Sequence, residues 1–332
     1  MKITNKWHPF FKRIGIILLA SVMPVIGGCG MNQYEMPYEV NSDVSSFRVV
    51  NIEEESLNTT TFAADLCVVS SDSNVNEVDM SKASGAALFD IHDKETLYAK
   101  NVHEKLYPAS LTKVMTALVA LKYGSVDMTL TASSNVTNLE SGAQTCGLKE
   151  GDQMTLDQAL RVLLINSAND AAVMIAEGIA GSVEGFADMM NEEALKIGAT
   201  NTHFVNPHGL SDDNHYTTVY DMYLIMNAAI QYERFNEIIR MTEYSTVYYD
   251  KNGNAKELNV KSTNYYLQGQ AQAPAGITVL GGKTGTTNAA GHCLVLVSRD
   301  TSGNPYISVI MRSESREDLY SQMSELLDEI NN

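Results

Sequence analysis

Residues 107–121, "YPASLTKVMTALVAL", decide how the rest of the chain is read. Pro108, Ser110 and Thr112 suit a helix start, and Val114, Leu118 and Leu121 recur at helical spacing. Lys113 stands three residues after Ser110, so the two side chains share a helix face among apolar neighbours. Two readings compete. Either Ser110 belongs to the capped start of a core helix, or it is a nucleophile with its base one turn away. A serine hydroxyl attacks only if some group takes its proton. A lysine can do so only when burial and a nearby positive charge depress its pKa. Lys113 is the only lysine in the chain with serine at the third position back, which by itself does not decide between the two.

Two further stretches carry chemistry-bearing side chains. In "LLINSANDAA" (163–172), Ser167 and Asn169 interrupt two apolar helical runs, where they either cap a helix or project into a cleft. Ser-x-Asn alone means little, since it recurs at Ser56, Ser133, Ser262 and Ser302. In "LGGKTGTTNAAGH" (280–292), Lys283, Thr284 and Gly285 end a strand pattern. The ammonium and hydroxyl suit a substrate carboxylate, and a strand glycine lets a ligand come close to the backbone. The plainer alternative is a glycine-rich hairpin with a solvated lysine.

The surrounding pattern predicts the fold class. "GAALFDIHDKETLYAKN" (85–101) reads as two strands around a turn. A helical middle follows, with further amphipathic segments at 182–199 and 217–230. "ITVLGGKTG", "GHCLVLVSRD" and "PYISVIMRS" are three strands, and "REDLYSQMSELLDEI" is a closing helix. The expectation is one α+β domain over residues 81–332. Its antiparallel five-stranded sheet is built from both chain ends and flanked by helices, with a helical subdomain inserted.

The 332 residues are 44% hydrophobic and 19% charged, a globular composition long enough for a sizeable core. A net charge of −17 argues against nucleic acid as a partner. Residues 1–13 carry four cations and no acid, and 14–28 form an apolar run too short to suit a spanning helix. This is the pattern of a secretory signal. Its end, Ile26-Gly27-Gly28-Cys29, resembles a bacterial lipobox, which implies lipidation at Cys29 and an extracytoplasmic, membrane-anchored protein. An uncleaved anchor, or a conventional signal peptide with an incidental Cys29, is the alternative. Residues 30–80, rich in Asn, Ser, Glu and Asp, read as a flexible acidic tether. Cys67, Cys146 and Cys293 are expected as unpaired core residues, although Cys146 and Cys293 could form a disulfide. No cysteine or histidine pattern suggests a metal. Pro207-His208-Gly209-Leu210 is expected to shape a turn beside the cleft.

Taken together, Ser110-x-x-Lys113, Ser167-x-Asn169 and Lys283-Thr284-Gly285 occur in this order, 57 and then 116 residues apart. The set resembles that of penicillin-binding proteins and serine β-lactamases. The likeness is closest to the low-molecular-weight penicillin-binding proteins, the serine D-Ala-D-Ala carboxypeptidases of the peptidase S11 family, and runs over about residues 83–331. It implies the β-lactamase/transpeptidase-like fold and removal of the terminal D-alanine from peptidoglycan pentapeptide stems, with β-lactams as covalent inhibitors. In that reading Ser110 is the nucleophile and Lys113 the general base. Ser167 relays a proton to the leaving amine, and Asn169 orients Lys113 and the substrate amide. Lys283 and Thr284 hold the terminal carboxylate, Gly285 admits the substrate, and the N–H groups of Ser110 and Thr286 form the oxyanion hole. No cofactor is expected.

A class A β-lactamase shares the three motifs but deacylates with a glutamate in E-x-x-L-N placed after the second motif. Here that string occurs only at Glu54–Asn58, ahead of the nucleophile. The remaining alternative is a non-catalytic sensor of peptidoglycan or β-lactam. Many relatives carry a further β-rich domain and a C-terminal anchor. Only 47 residues follow Gly285 here, so the expectation is that an N-terminal lipid replaces that anchor.

Overall fold

The computed structural model describes residues 63–73 and 78–332. The expected signal segment and Cys29 lie outside the described residues. Strands β1 (Ala83–Asp90) and β2 (Glu95–Lys100) open the domain. β3 (Thr129–Thr131), β4 (Gln153–Thr155), β5 (Glu243–Tyr249) and β6 (Ala255–Lys261) fall in its middle. β7 (Thr278–Thr287), β8 (Gly291–Arg299) and β9 (Pro305–Ser313) close it. The helices are α1 (Thr112–Tyr123), α2 (Leu156–Arg161), α3 (Asn169–Ala180), α4 (Val183–Lys196), α5 (Val219–Ala229), α6 (Glu233–Ile239) and α7 (Arg316–Asp328).

The five-stranded antiparallel sheet, in the order β2-β1-β9-β8-β7, joins both chain ends as expected. Its strands read as unbroken apolar runs because both faces are covered. Ala87, Phe89, Val295 and Val309 pack with the helical middle of the chain. Ala86, Leu88, Leu294 and Ile310 pack instead with Leu319, Met323 and Leu326 of α7. Helix α1 packs against α3 and α5, and every residue from Thr112 to Ala120 is buried. A helix apolar on all sides belongs in the middle of a core, and this one carries Lys113 there.

Two features depart from the sequence reading. A second sheet, β3-β4-β5-β6, and helix α6 were not expected. The β5–β6 hairpin runs in register from Glu243 opposite Lys261 to Tyr249 opposite Ala255, around a turn where Gly253 takes φ +79°. The domain also begins earlier than residue 81. Ser73 exchanges two 2.8 Å backbone hydrogen bonds with Ala99 at the edge of β2. Cys67 is fully buried, with its N–H donating to the Tyr223 hydroxyl at 2.9 Å. Composition misses this segment because it is held by backbone pairing and a few apolar contacts, not by an apolar run. Cys67, Cys146 and Cys293 are all free thiols, so the Cys146–Cys293 pairing is not formed. No helix among the described residues is long and apolar enough to cross a membrane.

Candidate active site

Ser110 lies in a 3-10 turn, Ala109–Leu111, that leads into α1. Ala109 enters the turn at φ +48°, a conformation that costs a side-chain-bearing residue about 1–3 kcal/mol. Neither this turn nor α1 has a side-chain cap, so the Ser110 hydroxyl does not serve the helix start. It faces the lysine. Lys113 Nζ lies 2.9 Å from Ser110 Oγ, 2.6 Å from Asn169 Oδ1 and 2.7 Å from the His208 carbonyl oxygen.

The state of that lysine follows from its surroundings. Lys113 is fully buried, and burial together with the Lys283 ammonium holds its pKa well below the usual lysine value, with Asp170 opposing. A neutral amine has two N–H groups and one lone pair. Asn169 Oδ1 and the His208 carbonyl can only accept, so they take the two N–H groups. The lone pair is left facing Ser110 Oγ, where it can receive the hydroxyl proton. His208 contributes its backbone and not its ring, in the turn expected beside the cleft. Asn206 Oδ1 holds that turn by accepting from the N–H groups of His208 and Gly209.

The second motif sits at a break between helices. α2 runs into a π-helical turn, Val162–Asn166, and Ser167 then takes φ +64° before α3. α3 is preceded by Ala168 without a side-chain cap, so the capping alternative fails here too. Lys283, buried in β7, donates to Ser167 Oγ at 3.0 Å and to the Thr284 carbonyl at 2.7 Å. Burial pushes its pKa down to about 7. Asp170, the residue after Asn169, accepts from the N–H groups of Cys146, Gly147 and Leu148. The Asn169 N–H donates to the Gln144 carbonyl at 2.8 Å. These bonds pin the loop ahead of β4 onto the start of α3, beside Ser167.

Strand β7 completes the site by close approach. A Cβ on Gly285 would lie 3.0 Å from the Ser110 nitrogen and 3.1 Å from Ala109 Cβ. The glycine therefore admits the Ala109–Leu111 turn that carries Ser110 against the strand. Thr284 Oγ1 is 2.6 Å from Thr263 Oγ1, and Thr286 Oγ1 is 3.2 Å from His292 Nδ1. Ser110, Ser167, Thr284, Gly285 and Thr286 line one cleft of about 360 Å³, with Gln144, Thr263 and Arg316 at its walls. No group of side chains among the described residues is arranged to hold a metal ion.

The structure thus brings together every motif residue singled out from the sequence except Cys29, which is not described. Sequence reasoning missed Asp170, Thr263, Gln144 and the His208 carbonyl. Thr263 sits in one of the Ser-x-Asn strings set aside as uninformative. Backbone groups such as the His208 carbonyl leave no residue-type signal.

A family profile described as D-alanyl-D-alanine carboxypeptidase, peptidase S11, matches residues 72–315. The chain belongs to this family. Among curated proteins it is 32% identical over 253 residues to the D-alanyl-D-alanine carboxypeptidase DacF of Bacillus subtilis, covering 74% of this chain and 61% of that one. It is 31% identical to DacC of Escherichia coli, covering 72% and 59%. The chain therefore spans about three-fifths of the length of these relatives. Among solved structures it is similar to a Streptomyces DD-transpeptidase, with TM-score 0.69 and 26% identity over 75% of this chain and 96% of that one. It is also similar to a penicillin-binding protein homologue from Mycobacterium tuberculosis, with TM-score 0.66 and 28% identity over 75% and 91%. The family fold is the penicillin-binding, β-lactamase-like one expected from the motifs.

Proposed function

We propose that the chain is a serine D-alanyl-D-alanine carboxypeptidase that removes the terminal D-alanine from peptidoglycan pentapeptide stems and is acylated by β-lactams. One observation carries this: the buried Lys113 Nζ lies 2.9 Å from Ser110 Oγ and within hydrogen-bond distance of two fixed acceptors, Asn169 Oδ1 and the His208 carbonyl. Ser110 Oγ attacks the carbonyl carbon between the two D-alanines, and its proton passes to Lys113. The N–H groups of Ser110 and Thr286 receive the oxyanion, each such donor contributing about 10²–10³ in rate. Lys283 donates to Ser167 Oγ, leaving the Ser167 proton free to pass to the leaving amine. Lys283 and Thr284 hold the terminal carboxylate. The proton that Lys113 took from Ser110 replaces the one lost by Ser167, so the amine is neutral again when water attacks the ester. It then takes the water proton and returns it to Ser110 Oγ as the ester bond breaks.

The class A β-lactamase alternative requires a carboxylate beside the acyl-enzyme. The described residues that line the cleft include no Asp or Glu, which favours slow deacylation of penicillin over turnover. The short apolar run and Ile26-Gly27-Gly28-Cys29 support an extracytoplasmic lipoprotein held to the bacterial membrane through Cys29.

Release of D-alanine from a synthetic pentapeptide, with Ser110→Ala as control, tests the activity. Wild-type release together with fluorescent-penicillin labelling, both lost in the variant, supports it. Labelling without release favours the sensor reading, and sustained hydrolysis of a chromogenic cephalosporin favours a β-lactamase. Membrane partitioning unchanged in Cys29→Ser would refute the lipid anchor.

A further inference from the structure

A chain of three hydrogen bonds ends on the peptide group that precedes the nucleophile. The Val205 N–H donates to His215 Nδ1 at 3.1 Å, so the ring proton sits on Nε2. His215 Nε2 is 2.8 Å from Thr112 Oγ1 and therefore donates to it. The Thr112 hydroxyl donates to the Ala109 carbonyl oxygen at 2.8 Å. The Val205 N–H can only donate and the Ala109 carbonyl can only accept, so the direction is unambiguous, and the same oxygen also accepts from the Thr112 backbone N–H. His215 is 1% exposed and Thr112 fully buried. Burial pushes the imidazole pKa down to about 4, which keeps Nδ1 an acceptor at neutral pH.

The Ala109 carbonyl and the Ser110 N–H belong to one planar trans peptide, so fixing the oxygen fixes the opposed N–H. A polarised hydrogen bond arriving at the oxygen also strengthens donation by that N–H. The peptide follows Ala109, whose φ of +48° needs outside support. Gly209 gives room for it: with φ +88°, a Cβ there would lie 1.8 Å from the Ala109 oxygen. Thr116 Oγ1, donating to the Pro207 carbonyl at 2.6 Å, keeps the same loop on α1.

We propose that His215 and Thr112 are positioning residues for the oxyanion hole, aiming and polarising the Ser110 N–H through the Ala109 carbonyl. The proposal rests on acylation at Ser110, and it predicts a defect in the acylation step and not in binding. The test is stopped-flow acylation of the full chain by a fluorescent penicillin, which separates the rate of acylation from the preceding dissociation constant. Thr112→Val is expected to slow acylation by about tenfold to 10²-fold with the dissociation constant unchanged. Thr112→Ser, which keeps the hydroxyl, is expected to recover most of the rate. His215→Phe is expected to slow acylation by a similar factor, and the double variant to be no slower than the worse single one, since both break one chain.

A folded Thr112→Val that acylates at the wild-type rate overturns the proposal, as do losses that multiply in the double variant. Should the variants fail to fold, nitrogen NMR of the wild-type histidines decides. A proton on Nε2 of His215 supports the chain, and one on Nδ1 overturns it. Wild-type protein that penicillin does not acylate defeats the functional reading itself, a result distinct from either outcome for the variants.

Discussion

Lys283 Nζ lies 3.0 Å from Ser167 Oγ although 116 residues separate the two in the chain. One is buried in β7 and the other ends a π-helical turn, so the sheet and the helical middle meet at this bond. It also sets the charge balance of the site, because the Lys283 ammonium depresses the pKa of Lys113.

Lys283 has a pKa near 7, so its charge is present below that pH and is lost above it. If the ammonium holds the substrate carboxylate, kcat/KM for a peptide ending in D-Ala-D-Ala falls as pH rises through about 7 in the free enzyme. A peptide ending in an amide has no carboxylate to lose that contact. Its profile is expected to lack the alkaline fall, and identical falls for both peptides would disprove the assignment.

Asp170 has the opposite effect on the base. Its carboxylate raises the Lys113 pKa against burial and Lys283. Asp170→Asn lowers that pKa further, so the acid limb of the kcat/KM profile is expected to move to lower pH. The variant also weakens the hydrogen bonds accepted from Cys146, Gly147 and Leu148. A stability loss of about 1–3 kcal/mol is expected by urea denaturation.

Asn169→Ala removes one of the two acceptors that turn the Lys113 lone pair toward Ser110. The penicillin acylation rate is expected to drop on the order of 10²-fold, as for other losses of general-base alignment. A drop below threefold in a folded variant would mean that the His208 carbonyl suffices alone.

Gly285→Ala places a methyl group 3.0 Å from the Ser110 nitrogen and 3.1 Å from the Leu111 nitrogen. β7 and the nucleophile turn must separate by a few tenths of an ångström, widening the oxyanion hole between them. Acylation is expected to slow at least tenfold, with about 1–3 kcal/mol of lost stability from overpacking. Thermal melting and acylation kinetics on one preparation separate the two effects.

Much of this site is legible in the sequence because its motif side chains are chemically distinctive. Ser110 and Lys113 are one helical turn apart, so local geometry alone brings them together. The three strands near the chain end are legible as apolar runs bounded by turns. The β5–β6 hairpin is legible in kind, since "YSTVYYDKNGNAKELNV" (244–260) alternates about an Asn-Gly turn.

Sequence alone determined the five-stranded sheet drawn from both chain ends and the three motifs that place the chain in its family, but not the β3–β6 sheet or α6. Whether Ser110 and Ser167 were caps or site residues was decided only by tertiary structure. A hydroxyl suits either role until its partner is known, and the partners come from distant segments: Lys283 for Ser167, Asn169 and the His208 carbonyl for the Lys113 beside Ser110. The depressed lysine pKa is likewise a property of burial and neighbouring charge, which exist only once sheet and helices have closed around it.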